Sequence, residues 1–278
     1  EVSDKLTFLV NTEFYKNTSA KASMIFLSRY SPLSFDSMEL FDRNYKRSFT
    51  SNDLTMNNNS FNMQMQALYK LSNNWTSQTV LSKSSTKTNG YYHYLWDSAN
   101  GDEFTRYIST ANVTFYTTDI QQNFIGDFKI GNMRNRLVAG LDYYNSRLIN
   151  GGSGWVSNGI VSLVNGTDSG VLTQAGTDAL LTGSFAGNTE ANQEIMSAYV
   201  SDVLNITNKL SVMASLRLDY FDGKASQYDG VETKGQVALS PKFGAVYQIV
   251  ENKVSVFGNY MNGFQNVAPT TVADLDGS

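Results

Sequence analysis

The sequence predicts an all-β protein: an antiparallel transmembrane β-barrel fragment, with about nine strands of a larger barrel. Three observations point there. Apolar and polar residues alternate with period two over many segments. Short and long connections between those segments also alternate, as in outer-membrane barrels with turns at one end and loops at the other. Finally, no apolar run approaches the ~18 residues of a membrane-spanning helix, and mean hydropathy is −0.30; both fit strands whose lipid-facing and lumen-facing residues average out.

The expected strands run near 4–15, 60–71, 75–84, 103–129, 136–148, 194–204, 210–220, 237–249 and 253–264. In Phe61–Leu71 the odd positions Phe61, Met63, Met65, Ala67, Tyr69 and Leu71 are apolar, whereas Asn62, Gln64, Gln66 and Lys70 are polar. The segment from Arg136 alternates Leu137, Ala139, Leu141 and Tyr143 with Val138, Gly140, Asp142 and Tyr144. Further on, Val212, Ala214, Leu216, Leu218 and Tyr220 alternate with Ser211, Met213, Ser215, Arg217 and Asp219. Lys242–Ile249 repeats the pattern. The fourth strand is long, and an interruption is expected around Ala111–Thr118. Glu190–Leu204 reads as strand rather than helix, because Ala198–Val203 is rich in β-formers; no segment carries a long helical apolar stripe.

Short turns are expected at Ser72–Asn74, Gly131–Asn135, Asn205–Asn208 and Glu251-Asn252. Long loops are expected at roughly Lys16–Asn59, Ser85–Glu103, Asn145–Gln193 and Phe221–Gly235, rich in Asn, Gly, Ser and Thr. Asn-Gly turn signals stand at Asn89, Asn100, Asn150, Asn158 and Asn165. A soluble sandwich would not sort its loops by end, and no propeller repeat is visible. Since bacterial barrels close with an even strand number and open edges do not survive in lipid, the chain reads as a piece of a larger wall. It opens directly on a strand-like run with no visible signal peptide, so a missing true N-terminus is expected.

Composition excludes several functions. A net charge of −4 with scattered Lys and Arg offers no footprint for nucleic acid. The absence of Cys removes disulfides, thiolate metal sites and a Cys nucleophile. His93 is the sole His, and no G-x-S-x-G elbow accompanies it, so a hydrolytic triad is not expected. Gly151–Gly154 lacks the Lys-Ser/Thr and following helix of a phosphate loop. Asp274-Leu275-Asp276-Gly277 is only half of a calcium loop. The Asn-x-Ser/Thr triplets match chance in an Asn-rich chain.

Asn208–Phe221 resembles a "LSVxAGLRYDxF" strand and Ser197–Asp202 a preceding "YxQD" strand, and through these the later strands resemble TonB-dependent siderophore receptors of the ferric-hydroxamate type. Leu239–Gln248 resembles "LSPRxGxVYQ", Val254–Phe264 resembles "LSLYASYSxGF" before Pro269, and Arg136–Tyr144 is similar to "HxLLxGxDY". The five pieces follow in order from about 124 to 264, whereas residues 1–120 fit in layout more than in motif. The resemblance implies that residues 1–278 are a partial barrel of an outer-membrane protein, without the family's plug domain, TonB box and final strands, and supply somewhat under half of its ~22 strands.

It further implies a receptor that binds a ferric siderophore at the outer face and is energised through TonB by way of the plug, with outer-membrane lipid around it and no enzymatic step. The iron arrives inside its chelator, so no cofactor and no protein metal site are expected. Ligand contact would fall to Tyr91, Tyr92, His93, Tyr94, Trp96 and Trp155, near expected outer loops. For Tyr91–Trp96 the competing reading is an interfacial aromatic girdle; for Trp155 it is docking on a neighbouring loop. Asp142, Arg217, Asp219 and Lys242 are expected to face the lumen, as a docking surface for the plug or as a plain salt-bridged lining. The alternative functions are a TonB-dependent importer of a glycan or cobalamin-like cargo, a passive porin or structural barrel, and a soluble exported adhesin.

Overall fold

Pairing of sequence neighbours builds nearly the whole molecule. A computed structural model describes residues 3–27, 47–97, 102–184, 189–224 and 235–264. Its strands are β1 (Leu6–Ala20), β2 (Met24–Phe26), β3 (Thr55–Lys70), β4 (Trp75–Asp97), β5 (Glu103–Ile130), β6 (Met133–Asn150), β7 (Val156–Ser162), β8 (Thr189–Asn205), β9 (Leu210–Lys224), β10 (Gln236–Val250) and β11 (Val254–Met261). One helix, α1 (Gln174–Leu181), lies between β7 and β8. The main path of the sheet is β1-β3-β4-β5-β6-β8-β9-β10-β11, antiparallel throughout. These nine are the strands read from the sequence. Two short ones are added: β2 pairs parallel with β4, and β7 pairs antiparallel with β5. The sheet is not closed within these residues; β1 and β11 are the ends of its path.

Four sequence expectations need correction. β5 runs unbroken through Ala111–Thr118, in continuous register with β4 above and β6 below. Ser85–Asp97 is not loop but the upper half of β4. The expected loops at 16–59 and 145–193 likewise give up their ends to β1, β3, β6 and β8. Apolar alternation does not reveal the polar parts of these extensions, because Lys16–Ser19, Asn57–Asn59 and Ser84–Asn89 carry polar side chains on both faces. They hold together by cross-strand hydrogen bonds instead: Thr18 Oγ1 to Asn57 Oδ1 (2.6 Å), Ser84 Oγ to Asn62 Oδ1 (2.7 Å) and Thr88 Oγ1 to Asn58 Oδ1 (2.9 Å). Finally, the 145–193 segment holds a helix, capped by Thr173, whose side chain accepts from the Gly176 amide.

The short turns stand where expected. Ile130 pairs with Met133, so the β5–β6 turn contracts to Gly131-Asn132, with Gly131 at φ +61°. Asn252, at φ +57°, serves the β10–β11 turn. Asn89-Gly90, by contrast, is no turn: it sits in mid-strand opposite Asn112 and Ala111. Asn158-Gly159 is a bulge in β7, where the register against β5 shifts between Thr105 and Tyr107 and Gly159 takes φ +80°. Asn100-Gly101, Pro269 and Asp274–Gly277 lie outside the described residues.

The sheet has one apolar and one polar face. Val200, Leu216, Leu218, Tyr220, Leu141, Phe124 and Phe243 all stand exposed on one side, and so do Phe8, Val10 and Phe14 of β1. So broad an uncovered apolar surface is far beyond the patches soluble proteins tolerate, and hydrocarbon is the solvent it fits. Trp75 and Phe128 stack at the short-turn end of this face, with ring centroids 5.6 Å apart. Among the described residues, no helix is long and apolar enough to cross a membrane.

Candidate functional site

On the polar face, Arg217 is bonded to two carboxylates and a hydroxyl. Arg217 donates from Nη2 to Asp142 Oδ2 (2.8 Å) and to Ser197 Oγ (2.7 Å), and from Nε to Asp219 Oδ1 (2.7 Å). Ser197 Oγ donates to the same Asp219 oxygen at 2.5 Å. The guanidinium lies 5.3 Å from the Tyr199 ring centre; the Tyr199 hydroxyl donates to Asn123, whose amide reaches Gln78 Oε1 at 3.1 Å. The belt therefore crosses five strands. Gly140 makes room for it, since a Cβ there would strike the Asn123 amide and the Tyr199 hydroxyl. Lys242 lies opposite Ser215 and shares the face, exposed. Sequence reasoning placed Asp142, Arg217, Asp219 and Lys242 on one face; Ser197, Tyr199, Asn123 and Gln78 completed the set only once register was known.

At the end of the sheet away from the short turns, β4 and β5 rise beyond β3 and β6 and are flanked by β2 and β7. Exposure inverts here. Below Gly90 the exposed positions of β4 are Thr79, Lys83, Lys87 and Asn89; above it His93, Leu95 and Asp97 are buried, while Tyr92 and Trp96 are exposed. The register with β5 is unbroken, so the faces have not swapped. The face that is bare below is covered above by a lobe made from residues 47–56 and 151–184. Leu95 and Phe104 pack with Val161, Leu163 and Phe49; Ile108 packs with Leu54, Leu181, Tyr91, Val156 and Leu172.

Alternation thus splits the aromatic run. Tyr91 and His93 turn into the lobe. The Tyr91 hydroxyl donates to Asp178 Oδ1 at 2.7 Å; burial and then this carboxylate push its pKa up to about 12. Tyr91 also lines a polar cleft of about 420 Å³ with Asn57, Asn89 and Asn112. His93 is buried, with Nδ1 2.9 Å from Ser23 Oγ and Nε2 2.8 Å from Thr50 Oγ1. Both ring nitrogens are thus engaged in tying two segments to β4. Burial, and secondarily the Arg106 guanidinium, hold its pKa down to about 4.

Tyr94 and Trp96 turn the other way, onto the face that carries the polar belt. Tyr94 stacks on its cross-strand partner Tyr107 (5.3 Å) and meets Trp155 edge-on (4.7 Å) and Phe26 (5.3 Å); Phe26 also stacks on Trp96 (5.9 Å). Tyr107 and Asn123 share one face of β5, so the cluster lies on the same side of the sheet as the belt, about 50 Å further along the strand. Tyr92 shares the side of Tyr94. Trp155, Trp96 and Phe26 each keep about half of their surface open, at 49%, 47% and 41%. Phe26 and Tyr107 escaped the sequence reading: one lay in an expected loop, the other in the expected strand near 103–129 without being singled out. Among the described residues no group of His, Asp and Glu is arranged to hold a metal ion.

A family profile described as "TonB dependent receptor-like, beta-barrel" matches residues 3–277. The chain belongs to this family. TonB-dependent receptor barrels are outer-membrane structures of receptors and transporters, and the open antiparallel sheet is a portion of such a barrel. Among curated proteins none matches the sequence. Solved structures share the fold at low identity. The ferric preacinetobactin receptor BauA of Acinetobacter baumannii superposes with a TM-score of 0.76 at 12% identity, over 92% of this chain and 37% of its own. The ferric-catecholate import receptor Fiu of Escherichia coli gives 0.71 at 16% identity, over 97% and 44%. FpvA of Pseudomonas aeruginosa, solved with heterologous pyoverdines, gives 0.68 at 12% identity, over 93% and 33%. The chain therefore spans between 33% and 44% of the length of these solved receptors.

Proposed function

We propose that the chain forms part of the wall of an outer-membrane receptor that binds a ferric siderophore at its outer face and imports it with energy delivered through TonB. The supporting observation is the open aromatic cluster of Tyr94, Trp96, Trp155, Phe26 and Tyr107, set on the pore-side face above a wall whose polar groups are already bonded to one another. Such a wall guides and encloses, and the aromatic surface above it can hold a compact chelate by packing. Tyr92 extends that surface; Tyr91 and His93 support it from behind. Asp142, Arg217, Asp219 and Lys242 act as lining, against which a plug region outside these residues would rest. No covalent step is required, and the iron travels as cargo inside its chelator, so the receptor needs no cofactor. Outer-membrane lipid is the partner for the apolar face.

The test uses the intact gene. Deletion should abolish uptake of iron presented as a ferric siderophore, and a proton-gradient uncoupler should abolish it equally in the parent strain. Unchanged uptake across a siderophore panel after deletion would reject the reading.

A further inference from the structure

We propose that the outward face of β1, β3, β4 and β5 seats a phosphorylated glycolipid of the membrane's outer leaflet, in a groove at the upper rim of the apolar band. This is the membrane side of the wall, and nothing in it depends on the cargo. Three successive rows of side chains, fixed by strand register, form the seat. The lowest holds Phe14, Phe61, Ser85 and Tyr116; the next holds Lys16, Asn59, Lys87 and Thr114; the third holds Thr18, Asn57, Asn89 and Asn112. Each row lies two residues beyond the one before, so all three share one face of the sheet. That face is the apolar one, since Ser85 keeps the parity of Ser77, the cross-strand partner of the exposed Phe124.

The rows also stand at the level of lipid headgroups. Trp75 and Phe128 stack at the short-turn rim. From Trp75 to Ser85 is ~33 Å of strand, or ~23 Å of height at a tilt of ~45°, against a band of ~25 Å. Phe14, Phe61 and Tyr116 are exposed there, as the outer aromatic girdle of a barrel is. Ser85, small between Phe61 and Tyr116, leaves a groove of about 290 Å³ that Phe14, Asn59, Lys87 and Thr114 also line. Lys16 and Lys87 stand two strands apart, ~10 Å, with Asn59 between them. Lys83, one row below the rings, can run its stem upward past them. All three lysines are exposed, and on this face of the four strands, below the lobe, no described Asp or Glu accompanies them. On the neighbouring strands Arg147 and Glu190 neutralise each other.

Each row matches one part of a single molecule. Acyl chains fit against the rings and against Val10, Met65 and Leu81 beneath them. The lysine ammoniums meet phosphate as point charges. Above them the amides of Asn57, Asn89 and Asn112 open into the polar cleft of about 420 Å³, where Asp53 and Gln174 add acceptors and donors suited to sugar hydroxyls. Asn59 Oδ1 is buried without a hydrogen-bond partner, an acceptor left for a hydroxyl or amide N–H of the ligand. A phospholipid would fill the two lower rows and leave the third empty, whereas a phosphorylated glycolipid spans all three.

The experiment counts lipid bound to the intact purified receptor by native mass spectrometry. The probes are a diphosphorylated, acylated glucosamine disaccharide, the same lipid stripped of phosphate, and phosphatidylglycerol. The expected result is about tenfold tighter binding of the phosphorylated glycolipid than of either other probe, the scale of one charge-assisted contact. Lys16→Gln combined with Lys87→Gln should weaken that binding several-fold and leave the dephosphorylated lipid unaffected, a split that loss of folding does not produce. Lys5→Gln combined with Lys209→Gln removes the same charge at the short-turn rim and should change nothing. Phosphatidylglycerol bound as tightly as the glycolipid overturns the proposal in favour of an unselective anionic-lipid rim. Binding indifferent to Lys16 and Lys87 overturns the site itself.

Discussion

Arg106 and Asp168 form an ion pair in the interior of the outer lobe. The guanidinium is wholly withdrawn from solvent, and both its Nη atoms meet the carboxylate, which is itself only 19% exposed. Nη2 also donates to the carbonyl of Phe49 at 3.1 Å, and Nη1 reaches the Asn158 carbonyl at 3.4 Å. One side chain of β5 thereby ties together residues 47–50, the β7 bulge and the loop before α1. Gly170 is small by necessity, because a Cβ there would strike the guanidinium.

Asp168→Asn should consequently loosen the lobe rather than the barrel. Removing one partner of a buried pair leaves the other charge uncompensated, at a cost of about 3–5 kcal/mol. Hydrogen exchange on the intact receptor should show faster exchange across 156–184, with the strand amides of β8–β10 unchanged. Uniform exchange across both regions would contradict this role.

The two glycines with positive φ in β4 and the β5–β6 turn should respond differently to alanine. Gly90 holds φ +143°, and a Cβ would fall against the Thr55 carbonyl oxygen. Gly131 holds φ +61° with nothing near its would-be Cβ. Gly131→Ala should cost about 1 kcal/mol. Gly90→Ala adds a steric clash and should cost about 2–3 kcal/mol, read as a lower melting temperature in detergent.

His93 sets a pH dependence for the lobe. It lies far up β4, beyond any bilayer-spanning stretch, and its folded pKa of about 4 is below the ordinary 6.5. The neutral ring is the folded form, so its contribution is complete above pH 6.5 and is lost as pH falls towards 4. The loss approaches about 3 kcal/mol in full. Melting curves followed by tryptophan fluorescence should shift down across that window, and His93→Gln should flatten the shift. A parent lobe equally stable at pH 7 and pH 4.5 would contradict it.

The assignment of faces is testable in the barrel itself. Leu216 points to the apolar side and neighbouring positions such as Ser201 to the polar one. Leu216→Arg should cost ~2–4 kcal/mol when folding into bilayers, against under ~1 kcal/mol for Ser201→Arg. Equal costs would mean that the two faces share one solvent.

The strands were legible where one side faces hydrocarbon, since Leu216, Leu218 and Tyr220 alternate against Ser215, Arg217 and Asp219. They were illegible where both sides face water, as in Ser82–Asn89, whose pairing rests on side-chain hydrogen bonds that leave no hydrophobic period. The lobe was hidden for another reason. Leu54, Val161, Leu163 and Leu181 are scattered through loop-like sequence, and only tertiary packing makes them a core. One signal was available: Arg106 lies between Phe104 and Ile108 on an otherwise apolar stripe, a pattern that asks for a buried partner. Asn158-Gly159 has the composition of a hairpin turn and serves as a bulge, because the Asn158 amide pairs with the backbone of Val171 at 2.8 Å in both directions.

The 28 residues of β5 have a mechanical consequence. At ~3.3 Å per residue the strand is ~90 Å long, and at a tilt of ~45° it climbs ~65 Å, against an apolar band of ~25 Å. The surplus is a stiff turret, not a fringe of free loops. Ladder hydrogen bonds hold Phe26, Tyr94, Trp96 and Tyr107 in place, so on the proposed function capture would spend little entropy on ordering the host. On the proposed function, a chelate diffusing near the cell would meet a preformed aromatic surface standing clear of the membrane plane.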